Sequence, residues 1–575
     1  MTSKAGLEYQ RWLASDALSD AERAELVAIG SNDEAISLCF AAPMSFGTAG
    51  LRSTMDLGIG CMNRFTVAAA TAAMAKLVLD AGGASRGVAI AYDSRNNSRS
   101  FAEVSACTLA ERGVKAYLFD GVRPTPELSF AVRDLGAIAG INITASHNPK
   151  AYNGYKAYWE DGAQISPTQA EVVAAAMAEI DPLSVTPSLS LAEGVESGLI
   201  VMLDRAYDER YLAAVLKTAV NSEAVSAVAD ELAIVYTPLH GAGHRLVPEI
   251  LRRIGLKKLY TVDSQMTLDG NFPTVKKPNP EYADVFADGI RIANEVGSDL
   301  VVATDPDADR VGVVCRTAKG DFATITGNQM GALLLDYVIS GKRKAGKLSS
   351  LDYAVKSVVS TPLADAIAKK QGVVLHDVLT GFKYIGEVIY GYEKSGREGE
   401  FLMGFEESYG YLFGSYARDK DAVGATMMIA EMAATYRAQG MTLLDALDQI
   451  YRTYGVYREA NVEFYMEGLD GIERRLRTME RLREQSPVSF GGDPVVKVAD
   501  FLSGRVRDLT DGSESETGLP LSDVLSFTLA SGARIVVRPS GTEPKIKIYL
   551  LVSGADTDAA EAKLKAVEID ARALI

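Results

Sequence analysis

Cysteine is scarce: only Cys39, Cys61, Cys107 and Cys315 occur in 575 residues, and none forms a C-x-x-C pair. That spacing argues against a disulfide framework or a zinc-thiolate motif and predicts buried, reduced thiols. Histidine is equally sparse. With only His147, His240, His244 and His376, chemistry that needs several imidazole ligands has little to draw on. No run of 18 apolar residues appears, and the opening MTSKAGLEYQRWL lacks a signal-peptide core. A soluble, cytoplasmic protein with no membrane partner is expected. Positive charge is in deficit, 59 Lys+Arg against 75 Asp+Glu for a net charge of −16. Phosphate polymers would be repelled, which argues against a nucleic-acid partner, although a local Arg/Lys cluster can still hold a small anion. Nucleotide fingerprints are incomplete as well. Gly58-x-Gly60 and Gly241-x-Gly243 have Asn63 and Leu246 where the third glycine belongs. Gly341…Gly346-Lys347 is followed by Leu348 instead of Ser or Thr, so neither NAD nor ATP is supported. In HGAGH (240–244) the glycines indicate a loop, and no H-E-x-x-H is present.

What remains is ordinary globular material, 47% apolar and 23% charged. At about 100–200 residues per domain the length predicts three to five domains. Ser19 and Glu22 are spaced as a capping box before AERAELVAI. Strand-like runs then alternate with helical patterns: VAIAYD (88–93), KAYLFD (115–120) and AIAGINITAS (137–146), with the amphipathic FAEVSACTLAERG (101–113) among them. This βαβ grammar recurs in 232–239, 258–263 and 299–305, and again in 353–360, 373–378 and 400–407. DPLSVTPSLSLAEG (181–194) is expected to be a linker, and the second and third sets are expected to meet near the turn at Lys319-Gly320. Beyond them come a charged, solvated helix (472–484), an acidic loop (509–520) and a strand–turn–strand (533–552). The fold class is thus α/β: three similar mixed α/β domains plus a smaller α+β C-terminal domain.

Four segments at predicted strand ends carry chemistry, the position where α/β sheets place ligands. In TASHNPKAYNGYKAY (144–158), Ser146 precedes His147 and Asn148, with Lys156 beyond. A serine exposed on such a turn can be nucleophilic or phosphorylated; the same residues also suit an Asn-Pro turn with a capping serine. In ATDPDADR (303–310), Asp305, Asp307 and Asp309 recur at every second position, which in an extended segment points them one way. Three converging carboxylates repel unless a hard cation such as Mg²⁺ sits among them; the alternative is a solvated turn. GFEESYG (404–410) could accept hydrogen bonds from sugar hydroxyls, and Lys420 in ARDKDA suits a surface ion pair. RPSGTEPKIKIY (538–549) offers Arg538, Ser540, Gly541 and Thr542 as a phosphate clamp or a hairpin turn.

In this order, and with FGTAGLR (46–52) and TPLHGAG (237–243), these segments resemble the α-D-phosphohexomutase superfamily. The likeness is greatest to phosphoglucomutase and phosphomannomutase members of the long, phosphopentomutase-related branch. DPDADR departs from the commoner D-G-D-G-D-R at Pro306 and Ala308. The resemblance implies four domains around a central cleft: 1–195 with the phosphoserine loop, 196–320 with the metal loop, 321–455 with the sugar loop and 456–575 with the phosphate loop. It implies that Ser146 is phosphorylated and joins Asp305, Asp307 and Asp309 around Mg²⁺. Arg310 would sit beside substrate, Glu406, Ser408 and Lys383 would bind the sugar, and Arg538, Ser540, Gly541 and Thr542 the idle phosphate. Arg52, His147, Lys156 and Lys420 would lie near the reacting groups. The implied activity is an isomerase, exchanging glucose 1-phosphate and glucose 6-phosphate through a glucose 1,6-bisphosphate intermediate that also activates. Alternatives are a phosphomannomutase or phosphopentomutase by the same mechanism, or a phosphoserine-dependent phosphatase or phosphotransferase. Hexoses epimeric at C2 share O3 and O4, so GFEESYG does not separate glucose from mannose.

Overall fold

The apolar runs fold into sheets flanked by helices, as their grammar predicts. The computed structural model describes residues 3–47, 50–466, 468–540 and 545–575. The first sheet holds β1 (Leu51–Thr54), β2 (Val88–Tyr92), β3 (Ala116–Phe119), β4 (Ala139–Ile143), β5 (Tyr152–Trp159) and β6 (Ile200–Leu203). Their order is β1-β5-β4-β2-β3-β6. β4, β2, β3 and β6 run parallel, whereas β5 folds back antiparallel beside β4 and β1 closes that edge. Every residue of β2 and β4 is buried, which explains the unbroken apolar run of β2 and that of β4, where Asn142 alone is polar. Three N-terminal helices, Lys4–Leu13, Asp20–Ile29 and Asp33–Phe40, pack around Trp12 and Phe40 as a separate small core, and the Ser19–Glu22 capping box is formed.

The expected linker lies ahead of the last strand of the first sheet, and the second boundary falls one short strand past its expected turn. The stretch 181–194 precedes the last strand of the first sheet, β6, and carries a 3-10 turn (Pro182–Ser184) and the start of a helix (Leu191–Glu196). Its Pro and Ser content reflects caps, since Asp181 and Ser190 each accept a backbone N–H at a helix start. Lys319-Gly320 is the hairpin turn between two strands of the second sheet, with Gly320 at φ +93°. That sheet comprises β7 (Ala233–Thr237), β8 (Lys258–Thr261), β9 (Leu300–Thr304), β10 (Val311–Arg316) and β11 (Phe322–Ile325), in the order β11-β10-β9-β7-β8. β7 is parallel to β8 and β9, while β9, β10 and β11 are antiparallel neighbours. Both sheets belong to one compact unit, residues 1–325, which also takes in 386–399 and 410–438.

The second unit covers 326–385, 400–409 and 439–575. It contains a parallel sheet with β12 (Tyr353–Ser357) between β13 (Val374–Val378) and β14 (Phe401–Glu406). β15 (Gly410–Phe413) opens the return to the first unit. The C-terminal part is an antiparallel sheet of β16 (Val456–Tyr465), β17 (Ser489–Phe490), β18 (Asp493–Asp500), β19 (Arg505–Asp508), β20 (Glu514–Glu516), β21 (Leu525–Leu529), β22 (Arg534–Pro539) and β23 (Lys545–Gly554). Helix Gly468–Glu484 is solvated on its charged side and buries Met479 and Leu482 in that core. The expected acidic loop is in part a hairpin, because β20 pairs with β19 and Arg505 meets Glu514 at 2.8 Å. All three residues of β20 are exposed, so no period-two apolar signal marks it in the sequence. Among the described residues no helix is long and apolar enough to cross a membrane.

Candidate active site

The serine loop leaves the end of β4 in a conformation that its neighbours impose. Ser146 has φ +51°, a left-handed value that a residue with a Cβ rarely adopts. Thr144 accepts the Ser146 N–H at 2.8 Å and donates to Asp93 Oδ2 at 2.6 Å. From the end of β2, buried Arg95 pairs with Asp93 at 3.3 Å. The same guanidinium donates to the carbonyls of Ser146 (2.5 Å), Pro149 and Tyr152 (3.0 Å each) and also Asn148. These bonds draw the loop onto the sheet, so Ser146 is 3% exposed and not open on a turn as expected. Its hydroxyl donates to Asp305 Oδ2 at 2.8 Å and lies 3.1 Å from His147 Nδ1. The adjacent Ser and His therefore do meet.

Asp305, Asp307 and Asp309 converge, but through a turn and not through strand alternation. They occupy the tight connection between β9 and β10, where the Ala308 N–H donates to Asp305 O at 2.9 Å and Ala308 has φ +49°. All three are buried, and one oxygen of each lies within 4.8 Å of the others. Asp305 Oδ1 accepts the N–H groups of Asp309 and Arg310 at 3.1 and 3.0 Å. Lys156, on β5, reaches Asp307 at 2.7 Å and Asp309 at 3.4 Å. Lys420 reaches Asp309 at 3.3 Å and Asp419 at 3.0 Å, and Asp419 also accepts from Tyr158 at 2.8 Å. Lys420 is thus a buried member of the cluster rather than a surface ion pair. Arg310 pairs with Glu281 at 2.6 Å, and Arg52, on β1, donates to Asn148 Oδ1 at 3.1 Å.

Burial and the neighbouring Asp307 and Asp309 push the Asp305 carboxyl well above its usual range. Burial also opposes ionisation of Asp307, yet the charge and hydrogen bond of Lys156 hold its carboxyl low. Lys156 itself is kept protonated, since Asp307 and Asp309 outweigh its burial. His147 is held neutral by burial and then by Arg310, Arg52, Arg95 and Lys156. The donor set fits magnesium: it is all oxygen, and Asp307 Oδ1 and Asp309 Oδ1 are buried with no hydrogen-bond partner among the described residues. Those oxygens cost free energy unless a cation or its waters meet them.

In the second unit, Glu406 ends β14 and accepts the Gly381 N–H at 2.7 Å. Glu407 beside it is buried and accepts from Ser357 at 3.2 Å; burial and Glu406 hold its carboxyl above the usual range. Ser408 is half-buried, and Lys383 lies 4.7 Å above the Tyr384 ring. Arg538, on β22, is half-buried, and its Nε has no hydrogen-bond partner among the described residues. The Ser540 N–H donates to Lys545 O at 2.8 Å. Gly541 and Thr542 lie outside the described residues.

Several supporting residues carry no motif. Thr125, at the start of helix Thr125–Asp134, gives its N–H to Asp307 O (2.8 Å) and its hydroxyl to Asp307 Oδ2 (2.9 Å), while Asn142 donates to that hydroxyl at 2.7 Å. Asp93 and Arg95 follow directly on the strand VAIAY, so their position past a parallel strand end was the available signal. Among the described residues the HGAGH histidines join no cluster of candidate metal ligands. His240 spends both ring nitrogens on Thr267 O and Thr274 Oγ1, each at 2.9 Å. Ala242 N–H donates to Pro306 O at 2.7 Å, and a Cβ at Gly241 would stand 2.4 Å from Pro306 Cα.

Four family models match in succession. Phosphoglucomutase/phosphomannomutase alpha/beta/alpha domains I, II and III cover residues 43–184, 209–320 and 326–454, and the C-terminal domain of that family covers 496–571. The chain belongs to the phosphoglucomutase/phosphomannomutase family. A phosphoglucomutase of Staphylococcus aureus (strain MRSA252) is 36% identical over 531 residues, 92% of this chain and 93% of that one. The same fold is found in pp63/parafusin of Paramecium, with TM-score 0.66, 17% identity and 92% and 95% of the two chains covered. A family member from Burkholderia thailandensis gives TM-score 0.64 at 16% identity, covering 92% and 97%.

Proposed function

We propose that the chain is a phosphoserine-dependent phosphoglucomutase, an isomerase that exchanges glucose 1-phosphate and glucose 6-phosphate. The carrying observation is the Ser146 hydroxyl, 2.8 Å from Asp305 in a buried three-carboxylate cluster flanked by two lysines. The preference for glucose rests on the phosphoglucomutase likeness over nearly the whole chain.

In this reading Ser146 carries the phosphoryl group between turnovers. The Ser146 Oγ–P bond breaks as a P–O bond forms to the free sugar hydroxyl, giving glucose 1,6-bisphosphate. That intermediate turns end for end, and Ser146 takes the other phosphate back. Direct transfer between O1 and O6 is ruled out by their separation on the sugar. His147, neutral and 3.1 Å from Ser146 Oγ, holds or releases the proton at that oxygen. Lys156 and Lys420 stay as ammonium groups that offset carboxylate and phosphate charge, and Arg310 and Arg52 add to that positive field. Magnesium, held by Asp305, Asp307, Asp309 and the phosphorylated Ser146, would screen the charge of the transferring group. Glu406, Ser408 and Lys383 bind sugar hydroxyls, and Arg538 and Ser540, with Gly541 and Thr542, take the phosphate that is not reacting.

Phosphorus NMR on glucose, mannose and ribose 1-phosphates, with catalytic bisphosphate present, tests this. Glucose 1-phosphate is expected to convert fastest, with no inorganic phosphate released, and Ser146→Ala is expected to abolish turnover while the fold persists. Release of inorganic phosphate, or substantial activity in Ser146→Ala, would refute the reading.

A further inference from the structure

Two of the four scarce cysteines are neighbours in space, away from the carboxylate cluster. Cys39 lies on helix Asp33–Phe40 and Cys61 in the loop that leaves β1; both are free and buried. Their sulfurs and a carboxylate oxygen of Asp56 all lie within 4.8 Å of one another. The approach is built into the backbone. Gly60 N–H donates to Cys39 O at 2.9 Å, and a Cβ at Gly58, where φ is +126°, would meet Cys39 O at 2.5 Å and Cys39 Cβ at 2.9 Å. Only glycine tolerates both the angle and the contact. The Asn63 amide then fastens the loop by donating to the carbonyls of Asp56, Gly58 and Cys61 at 2.9, 2.9 and 3.2 Å.

We propose that Cys39 and Cys61 form a dithiol that hydrogen peroxide converts to an intramolecular disulfide. Asp56, whose carboxylate stands beside both buried sulfurs, is itself exposed. The two sulfurs are also unequal. The interaction with Cys61 lowers the Cys39 thiol, while the same contact and burial raise the Cys61 thiol. Cys39 therefore attacks first. Its thiolate takes one peroxide oxygen, the O–O bond breaks, and the departing hydroxide leaves as water with the Cys39 proton. Cys61 then attacks the resulting sulfenic sulfur, the S–S bond forms, and the S–O oxygen leaves as a second water with the Cys61 proton. Two thiols are oxidised and one peroxide is reduced. Zinc capture by the same three donors is the rival reading. It is disfavoured because a structural zinc takes four ligands, and among the described residues only these three donors converge. The bond would join the N-terminal helical core to the loop after β1, the strand that carries Arg52.

The test is thiol mapping on the full chain. After brief peroxide treatment, denaturation and alkylation, two of the four thiols should be lost and a single linked peptide should join Cys39 to Cys61. Cys107 and Cys315, on separate elements, should stay alkylatable, and a thiol reductant should restore all four. In Cys39→Ser no linked peptide should form. The proposal is overturned if Cys39 and Cys61 both remain alkylatable or stop at separate sulfinic acids. Stoichiometric zinc that shields both thiols until a chelator is added would overturn it equally.

Discussion

Lys156→Met should expose how much the carboxylate cluster depends on a cation. The substitution keeps the aliphatic stem and removes the ammonium that reaches Asp307 at 2.7 Å and Asp309 at 3.4 Å. Asp309 still has Lys420 at 3.3 Å, but Asp307 Oδ2 loses its 2.7 Å ammonium partner and keeps the neutral Thr125 hydroxyl at 2.9 Å. Removing one partner of a buried ion pair costs about 3–5 kcal/mol, so that loss of stability is expected in EDTA at neutral pH. Magnesium should narrow the gap, because a ligand present at about 100 times its dissociation constant stabilises by about 2.7 kcal/mol, and the variant has more uncompensated charge to offer it. Acid should narrow the gap too. Asp307 is held below its ordinary value of 3.8 in the fold, so the stability it contributes is present above that value and lost as pH falls through the folded one. Two compact units need not unfold together, so the proper readout is native-state hydrogen exchange of β9 and β10 amides, with EDTA and with Mg²⁺. A penalty below about 1 kcal/mol in EDTA, or one that magnesium leaves unchanged, would refute the electrostatic reading.

Arg95→Leu should cost about 3–5 kcal/mol and lower turnover, because it strips Asp93 of its cation and frees the serine-loop carbonyls; intact turnover in the folded variant would discount Arg95 as the loop's anchor. Thr125→Val should weaken Mg²⁺ activation by about 1.5–3 kcal/mol, with Thr125→Ser restoring it; equal Mg²⁺ dependence in the two variants would remove the hydroxyl from Asp307's support. Glu459, on β16, is pushed up by burial to about 7, above its ordinary 4.5. Its folded form keeps the proton longer than its unfolded form, so stability is lost as pH rises from about 4.5 to 7. Glu459→Gln should therefore stabilise the second unit by about 1–3 kcal/mol at pH 8 and by little at pH 5 in urea unfolding; equal effects at both pH values would refute the shift.

The strands of both α/β sheets were readable because a buried parallel strand is a near-continuous apolar run, as in VAIAY and in LVVAT, where Thr304 alone is polar. β20 was not, since a strand exposed at every residue leaves no alternation to detect. The linker reading of 181–194 failed because helix caps and linkers draw on the same residues, Ser, Asp and Pro. At the site, chain order and residue type pointed to Ser146 and the three aspartates. A turn with Ala308 at positive φ, and not the alternation of an extended segment, gathers the aspartates. Arg95 and Thr125 escaped notice because their partners are backbone carbonyls and a residue nearly two hundred positions away. Such pairings have no local spacing.

Gly241 shows what a glycine in a histidine-rich motif can be for besides ligand chemistry. With Pro306 Cα where its own side chain would stand, the loop is an abutment against which the aspartate turn rests. Even alanine there would shove the carboxylates out of alignment from behind, without touching one of them. A screen for lost activity would then flag position 241 as if it were chemical, when its whole contribution is the room it leaves.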